Sequence, residues 1–100
     1  MANFRKRSNE LSLREAIEDM LNAYHYMDKM NEMHIITQWD KIVGRIIARE
    51  TKNLFIRNRV LYVRLNSPVL KDELGYERTR LIKKLNKSAG AEVITDIAFL

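Results

Sequence analysis

The sequence predicts a small α+β domain whose elements follow the order α-α-β-β-α-β. Three features support this prediction: apolar residues at helical spacing through the first half, two runs of branched and aromatic residues on either side of Asn58-Arg59, and a helix-start signal at Ser67-Pro68. The hairpin and a last β-rich run together predict a three-stranded sheet, with the helices packed on one of its faces.

Length and composition agree with one soluble domain. The chain has 100 residues, 46% of them hydrophobic, and no Cys, so we expect a packed core without disulfide or thiolate chemistry. We expect residues 12–100 to form the domain and residues 1–11 to form a flexible basic arm. The arm lacks the apolar run of a secretory signal, and no run approaches the roughly 20 apolar residues that span a bilayer. The sequence therefore predicts a cytoplasmic protein without membrane contact.

The first helix is predicted to start at Ser12, where Ser12-x-x-Glu15 forms a capping box, and to end near Tyr26. Apolar residues at helical spacing then form one stripe: Leu13, Ile17, Met20, Leu21 and Tyr24. Residues 27–33 are either a short connection or the first turn of the next helix.

The second helix is marked by apolar side chains that share one face: Ile35, Trp39, Ile42, Val43 and Ile46. Gly44 lies on the other side of this helix, so it predicts a helix end or a kink rather than core packing. A further short turn at residues 46–51 then leads into the hairpin.

The stretch from Leu54 to Leu65 predicts a β-hairpin whose polar pair forms a two-residue turn. With that turn, Phe55 lies opposite Tyr62. Alternation then makes one face of the hairpin uniformly apolar, with Leu54, Ile56, Leu61, Val63 and Leu65. The other face mixes rings with guanidinium groups, namely Phe55, Arg57, Val60, Tyr62 and Arg64.

The third helix is predicted to start after its cap residue Ser67, to run to about Lys87 and to end before Gly90. Its buried stripe is Leu70, Leu74, Leu81, Ile82 and Leu85. The helical position of Arg78 lies within this stripe. We therefore expect the aliphatic part of its side chain to pack and its guanidinium to reach the edge of the stripe. The last run, residues 93–100, is rich in β-branched residues and predicts the third strand.

The net charge of +5 lies entirely in the second half of the chain. Residues 1–50 carry 8 Lys/Arg and 8 Asp/Glu, whereas residues 51–100 carry 10 Lys/Arg and 5 Asp/Glu. A basic surface that begins at the hairpin favours a polyanionic partner.

Groups that could carry catalysis do not converge in this sequence. His25 and His34 lie on different predicted elements, without Cys or carboxylates at zinc-site spacing, and we interpret both as structural. The glycines are scattered at positions 44, 75 and 90, so the sequence has no phosphate-cradling loop. We therefore expect no enzyme activity, no cofactor, no metal and no small-molecule substrate.

An open sheet face with rings and cations suits single-stranded nucleic acid, because bases stack on the rings while Arg and Lys hold the phosphates. The candidate binding residues are Phe55, Arg57, Tyr62 and Arg64 on the sheet, and Arg80, Lys83, Lys84 and Lys87 on the third helix. Two alternatives stay open: the aromatics cover the sheet or dock a protein, and the helix cations form a plain solvated face.

A set of short runs stands out between the second helix and the end of the chain. They are QWDKIVG at 38–44, IARET at 47–51, LYV at 61–63, SPV at 67–69, EL at 73–74, the helix 81–85 with Asn86, and VITDI at 93–97. The most specific part is the spacing Trp39-x-x-Ile42-Val43-Gly44, followed by Thr51. These runs resemble the DciA family of bacterial helicase operators, and the resemblance covers residues 12–100.

The resemblance implies a KH-like domain that binds DNA and helps to load or activate the replicative DNA helicase. The chain lacks the Gly-x-x-Gly loop with which KH domains clamp a nucleic-acid backbone, so the binding residues rest on the face analysis alone. We expect a non-enzymatic module that binds single-stranded or forked DNA and recruits the helicase. The alternatives are a protein-interaction adaptor, with Phe55, Tyr62 and Trp39 as apolar contacts, and an RNA- or ribosome-associated binding protein.

Overall fold

The fold is α+β, with a three-stranded mixed sheet and helices, which confirms the predicted fold class at this level. The computed structural model describes the backbone of residues 2–100 and the side chains from residue 12 onward. The elements are α1 (Ala2–Val43), α2 (Arg45–Glu50), β1 (Thr51–Arg57), β2 (Val60–Leu65), α3 (Pro68–Tyr76), α4 (Arg78–Ala89) and β3 (Asp96–Phe99). The middle strand β2 is antiparallel to β1 and parallel to β3.

α1 is one continuous helix where the sequence analysis predicted two. The predicted helix start at Ser12 and the predicted helix end near Tyr26 are both wrong, since the backbone is helical on either side of each. No proline or glycine precedes Gly44, so nothing in residues 27–33 interrupts the backbone hydrogen bonds. The helix makes the molecule 68 Å long against 20 Å in the other two directions. The flexible basic arm at residues 1–11 stays a prediction, because these side chains lie outside the described ones.

Gly44 ends α1, which confirms the helix end expected at this glycine. Its φ of 91° lies in a region that L side chains rarely adopt. The Gly44 N–H donates to the Asp40 carbonyl at 3.0 Å, and the Gly44 carbonyl accepts from the Ala48 N–H at 2.9 Å. Both backbone groups are therefore paired while the chain turns into α2, which leads to Thr51 at the start of β1.

The hairpin has the predicted turn and the predicted register. Asn58 and Arg59 both have positive φ, 52° and 64°, as in a type I′ turn, whose twist matches that of the strands. Each pair counted outward from this turn is found in the sheet, including Phe55 with Tyr62.

The third predicted helix is divided into α3 and α4 by a break at Glu77, so the element order is α-α-β-β-α-α-β. In one straight helix Arg78 would enter the buried stripe, where a guanidinium is unfavourable. Beyond the break, its side chain is instead 47% exposed, with Nε 3.9 Å from Asp96 Oδ1. The helix start is as predicted, since Ser67 Oγ accepts from the Leu70 N–H at 3.3 Å.

Asn86 on α4 holds the chain that leads into β3. Its Nδ2 donates to the Ile94 carbonyl at 2.8 Å, and its Oδ1 accepts from the N–H groups of Val93 and Ile94 at 2.9 and 3.0 Å. Ile94 is fully buried, so its backbone needs protein partners in place of water. The strand itself begins only at residue 96, later than the predicted run from residue 93.

The core lies between the inner face of the sheet and the helices. Its buried residues are Ile35, Trp39, Leu61, Val63, Leu74, Leu81, Leu85, Ile94 and Ile97. Two predicted stripes depart from this picture. Ile46 is 74% exposed instead of joining the core, and the apolar stripe of the first predicted helix is exposed along residues 12–30.

Trp39 joins three elements at the centre of the core. It is fully buried, and its indole Nε1 donates to the Thr51 hydroxyl at 3.0 Å. That hydroxyl donates in turn to the Ile47 carbonyl at 2.8 Å. A single chain of hydrogen bonds therefore links α1, β1 and α2, and it satisfies the only polar atom of the buried ring.

We expect Thr51→Val to destabilise the domain by about 1–3 kcal/mol, because it leaves the buried indole N–H without an acceptor. The free energy of unfolding is measured by urea denaturation followed by circular dichroism. The control is Thr37→Val, which removes a hydroxyl bonded to the His34 carbonyl on an exposed part of α1 and should change stability by less than about 0.5 kcal/mol. Equal losses in both variants would show that the indole contact has no special role.

Candidate nucleic-acid interface

The outer face of the sheet is open in the part of the chain that the structure describes. Arg57 and Arg64 are exposed, Phe55 keeps 36% of its surface exposed, and Val60 and Tyr62 are half-buried. All five lie on the face that alternation predicted, because the hairpin has the predicted register. The helices pack on the other face, around the buried Leu61 and Val63.

Phe55 and Tyr62 form a stacked pair at the centre of this face. Their ring centroids are 4.9 Å apart and their planes differ by 11°. The two residues are directly opposite in the antiparallel ladder, which is the arrangement that brings side chains on one face into contact. Each ring uses one side for the pair, which leaves at most one side of each ring for a further stacked group.

Arg57 and Arg64 flank this pair at opposite corners. Arg57 follows Phe55 by two residues on β1, and Arg64 follows Tyr62 by two residues on β2, which runs the other way. Four residue steps separate the two cations along the strand direction, or about 14 Å. The outer face therefore presents a cation, a pair of rings and a second cation across the sheet.

Two charged residues near this face were not predicted from the sequence. Lys52 is exposed where the ladder register shifts between Thr51 and Asn53, and Asp96 enters on β3, with Arg78 at 3.9 Å. Strict alternation along a strand does not indicate a register shift, and a single sequence does not give the order of strands. Arg78 offsets the carboxylate of Asp96.

The second candidate group lies on α4. Its predicted members are all exposed: Arg80, Lys83, Lys84 and Lys87. Arg80 Nη1 lies 3.4 Å from Glu77 Oε2, so this cation forms an ion pair with a carboxylate. The other three form a basic strip along the helix.

The structure does not bring the two groups together. α4 packs against the core through Leu81 and Leu85, so its cations point away from the core on the helical side. Phe55 and Tyr62 point away from the same core on the sheet side. A short single strand can therefore occupy one group at a time, and the two are separate candidate sites.

Neither histidine contributes to a site in the described residues. His34 Nε2 lies 3.0 Å from Ser88 Oγ and links α1 to α4, and His25 is exposed. No three His, Cys, Asp or Glu side chains come together as metal ligands between residues 12 and 100. The described helices also include none that is both long and apolar enough to cross a membrane.

Comparison with known proteins places most of the chain in one sequence family. A family model described as Dna[CI] antecedent, DciA, matches residues 12–99. The match extends from α1 into β3 and includes both candidate sites. No curated protein and no solved structure matches the chain.

The stacked pair predicts a measurable coupling between Phe55 and Tyr62. We expect Phe55→Leu and Tyr62→Leu to show a coupling of about 0.5–1.5 kcal/mol in the free energy of unfolding, since either variant alone removes the whole ring contact. A second cycle that pairs Phe55→Leu with Tyr76→Leu is the control, because Tyr76 is 90% exposed and lies on α3. Additive losses in the first cycle would contradict the stacked geometry.

Proposed function

This chain belongs to the DciA family, and from that premise we propose that it binds single-stranded or forked DNA and recruits the replicative DNA helicase to it. Membership in the family supports a helicase-loader-like role in DNA replication. We propose further that the domain is KH-like and acts as a non-enzymatic module in the cytoplasm. In this proposal the outer face of the sheet is the DNA-binding site.

The open stack of Phe55 on Tyr62 is the observation that supports this site most directly. A sheet face that only closed a core would have its rings covered, and here the helices pack on the other face. Stacking of a base on an aromatic ring contributes about 1–3 kcal/mol per base and accepts any base. The rings therefore favour unpaired DNA over a closed duplex, whose bases are already stacked.

Arg57 and Arg64 supply the phosphate contacts. Each is exposed and free to reach the backbone of a strand whose bases lie on the rings between them. For single strands, each neutralised phosphate contributes a slope of about −0.7 to log K against log salt concentration. Two phosphate contacts thus predict a binding constant that falls clearly with salt.

The cations of α4 fit a second strand. Lys83, Lys84 and Lys87 face away from the sheet, where a strand bound to the rings does not reach. A fork offers two strands that diverge, and one of them can pass along each side of the domain. We therefore assign these lysines to forked DNA rather than to a short single strand.

We expect Arg57→Gln with Arg64→Gln to weaken binding of a short single strand and to reduce its salt slope by about 1.4, because two phosphate contacts are lost. The charge-matched control is Lys83→Gln with Lys84→Gln, which should leave that binding unchanged and weaken binding of a fork. Fluorescence anisotropy of labelled oligonucleotides at several salt concentrations measures both.

An affinity that does not depend on salt would contradict the phosphate contacts. Equal losses of single-strand binding in the two double variants would contradict the assignment to the sheet. Stronger competition by an RNA strand of the same sequence would favour the RNA-binding alternative over DNA.

An exposed apolar patch on the helical side favours a contact with protein as well. Tyr76 is 90% exposed and lines a groove together with Ile47, Leu70 and Leu74. The exposed Ile46 and Val69 are the chain neighbours of Ile47 and Leu70. Single exposed apolar residues are ordinary, but an exposed ring at a groove marks an interaction surface. We propose that the helicase binds here. Trp39 has no part in such a contact because it is 0% exposed, which corrects that element of the adaptor alternative.

We expect Val69→Ser with Tyr76→Ser to abolish capture of the purified replicative helicase while DNA binding is retained, because both residues belong to α3, which packs on the core through Leu74 and is not part of the sheet. Arg57→Gln with Arg64→Gln is the control and should capture the helicase normally. Both pull-downs are repeated after nuclease treatment. Capture that disappears with nuclease would contradict a direct contact, and nuclease-resistant capture by a chain that binds no DNA would favour the adaptor.

A further inference from the structure

The part of α1 that precedes Ile35 carries a row of apolar side chains that the rest of the described chain leaves uncovered. Every residue from 12 to 30 is exposed, and α1 joins the core only beyond them, at Ile35. Leu13 is 64% exposed, Leu21 57% and Tyr24 60%. An apolar row of this extent in contact with water indicates an interaction site.

The spacing of the row is that of a coiled coil. Steps of four and three residues alternate along it, which are the a and d positions of a heptad repeat: Leu13, Ile17, Met20, Tyr24 and Met27. Such a row is narrow and follows the helix axis, so it matches another helix better than a sheet or a broad pocket.

We propose that a second copy of this chain covers the row, with its α1 antiparallel to the first. In the inferred register Ile17 lies opposite the partner's Met27, and Met20 lies opposite the partner's Tyr24. The two-fold axis passes near residue 22, so symmetry repeats both contacts and closes four apolar layers.

Charge complementarity selects this register. The e positions beside the row are Arg14, Leu21 and Asp28. In the antiparallel pair, e positions face each other, so Arg14 meets the partner's Asp28 twice and Leu21 meets its own copy. On the other side, the small Ala23 meets its own copy and allows the helices to approach closely. A shift of the pair by one heptad in either direction would lose both ion pairs.

A parallel pair is less suitable because of its charges. It would place the e position Asp28 beside Ala23, which offers it no opposite charge.

The antiparallel pair holds two domains at opposite ends of a short rod. Trp39 is 17 residues from the axis, so the two cores are separated by about 50 Å along the coil. The outer sheet faces lie away from the coil in both copies. With the proposed DNA-binding site on each sheet, the pair binds two stretches of DNA, or one strand at two points.

Charge reversal tests the register on the full chain. We expect Arg14→Asp and Asp28→Arg, each alone, to raise the dimer dissociation constant about tenfold, because each places two like-charge pairs at the interface. The variant with both changes should recover the original constant, since each ion pair is restored with its sign exchanged. Sedimentation equilibrium over a wide concentration range measures all three. The matched control is Glu15→Arg on the opposite side of α1, which should have no effect.

Cysteine pairing tests the direction of the helices, and the chain has no cysteine of its own. A mixture of Ile17→Cys and Met27→Cys should form a mixed disulfide on oxidation. Either variant alone should not, because its two copies are about 15 Å apart in the antiparallel pair, beyond the reach of a disulfide. Disulfides in Ile17→Cys alone would overturn the antiparallel arrangement. A wild-type chain that stays monomeric at every concentration, or a double charge variant as weak as the single ones, would overturn the proposal.

Discussion

Burial of the Trp39 indole is the constraint on which the arrangement of the domain depends. The ring needs an acceptor for its one N–H, and Thr51, placed at the first position of β1, supplies it. Thr51 reaches this position because the chain turns at Gly44 and passes through α2. The contact therefore ties the end of the long helix to the start of the sheet. With the helices held on that side, the other face of the sheet is left open.

The parts of the fold that depend on local chemistry were predictable from the sequence. The turn at Asn58-Arg59, the alternation that follows from it, the cap at Ser67 and the helix end at Gly44 each require only neighbouring residues. These signals were sufficient for the hairpin register and for the residues on each face of the sheet. They were also sufficient for the α+β class.

The remaining features depend on distant contacts, which a local pattern does not contain. A capping box at Ser12 is compatible with a helix start, but a chain without breakers continues as a helix through it. The break before Arg78 brings this residue near Asp96, 18 positions later, and the parallel placement of β3 depends on the hydrogen bonds of Asn86. For the same reason, periodicity identified the basic residues of the sheet and those of α4. It did not show that the core separates these two groups.

The single tryptophan of the chain has a practical consequence, because it is completely enclosed. Indole emission reports the polarity around the ring, so the native protein should emit at short wavelength, and the emission should move to longer wavelength only when the interior opens. Ligands on the surface leave that environment unchanged. The intrinsic fluorescence of this tryptophan therefore reports unfolding and not ligand binding. Titrations with labelled partners can be followed in the same sample at the wavelength of the label.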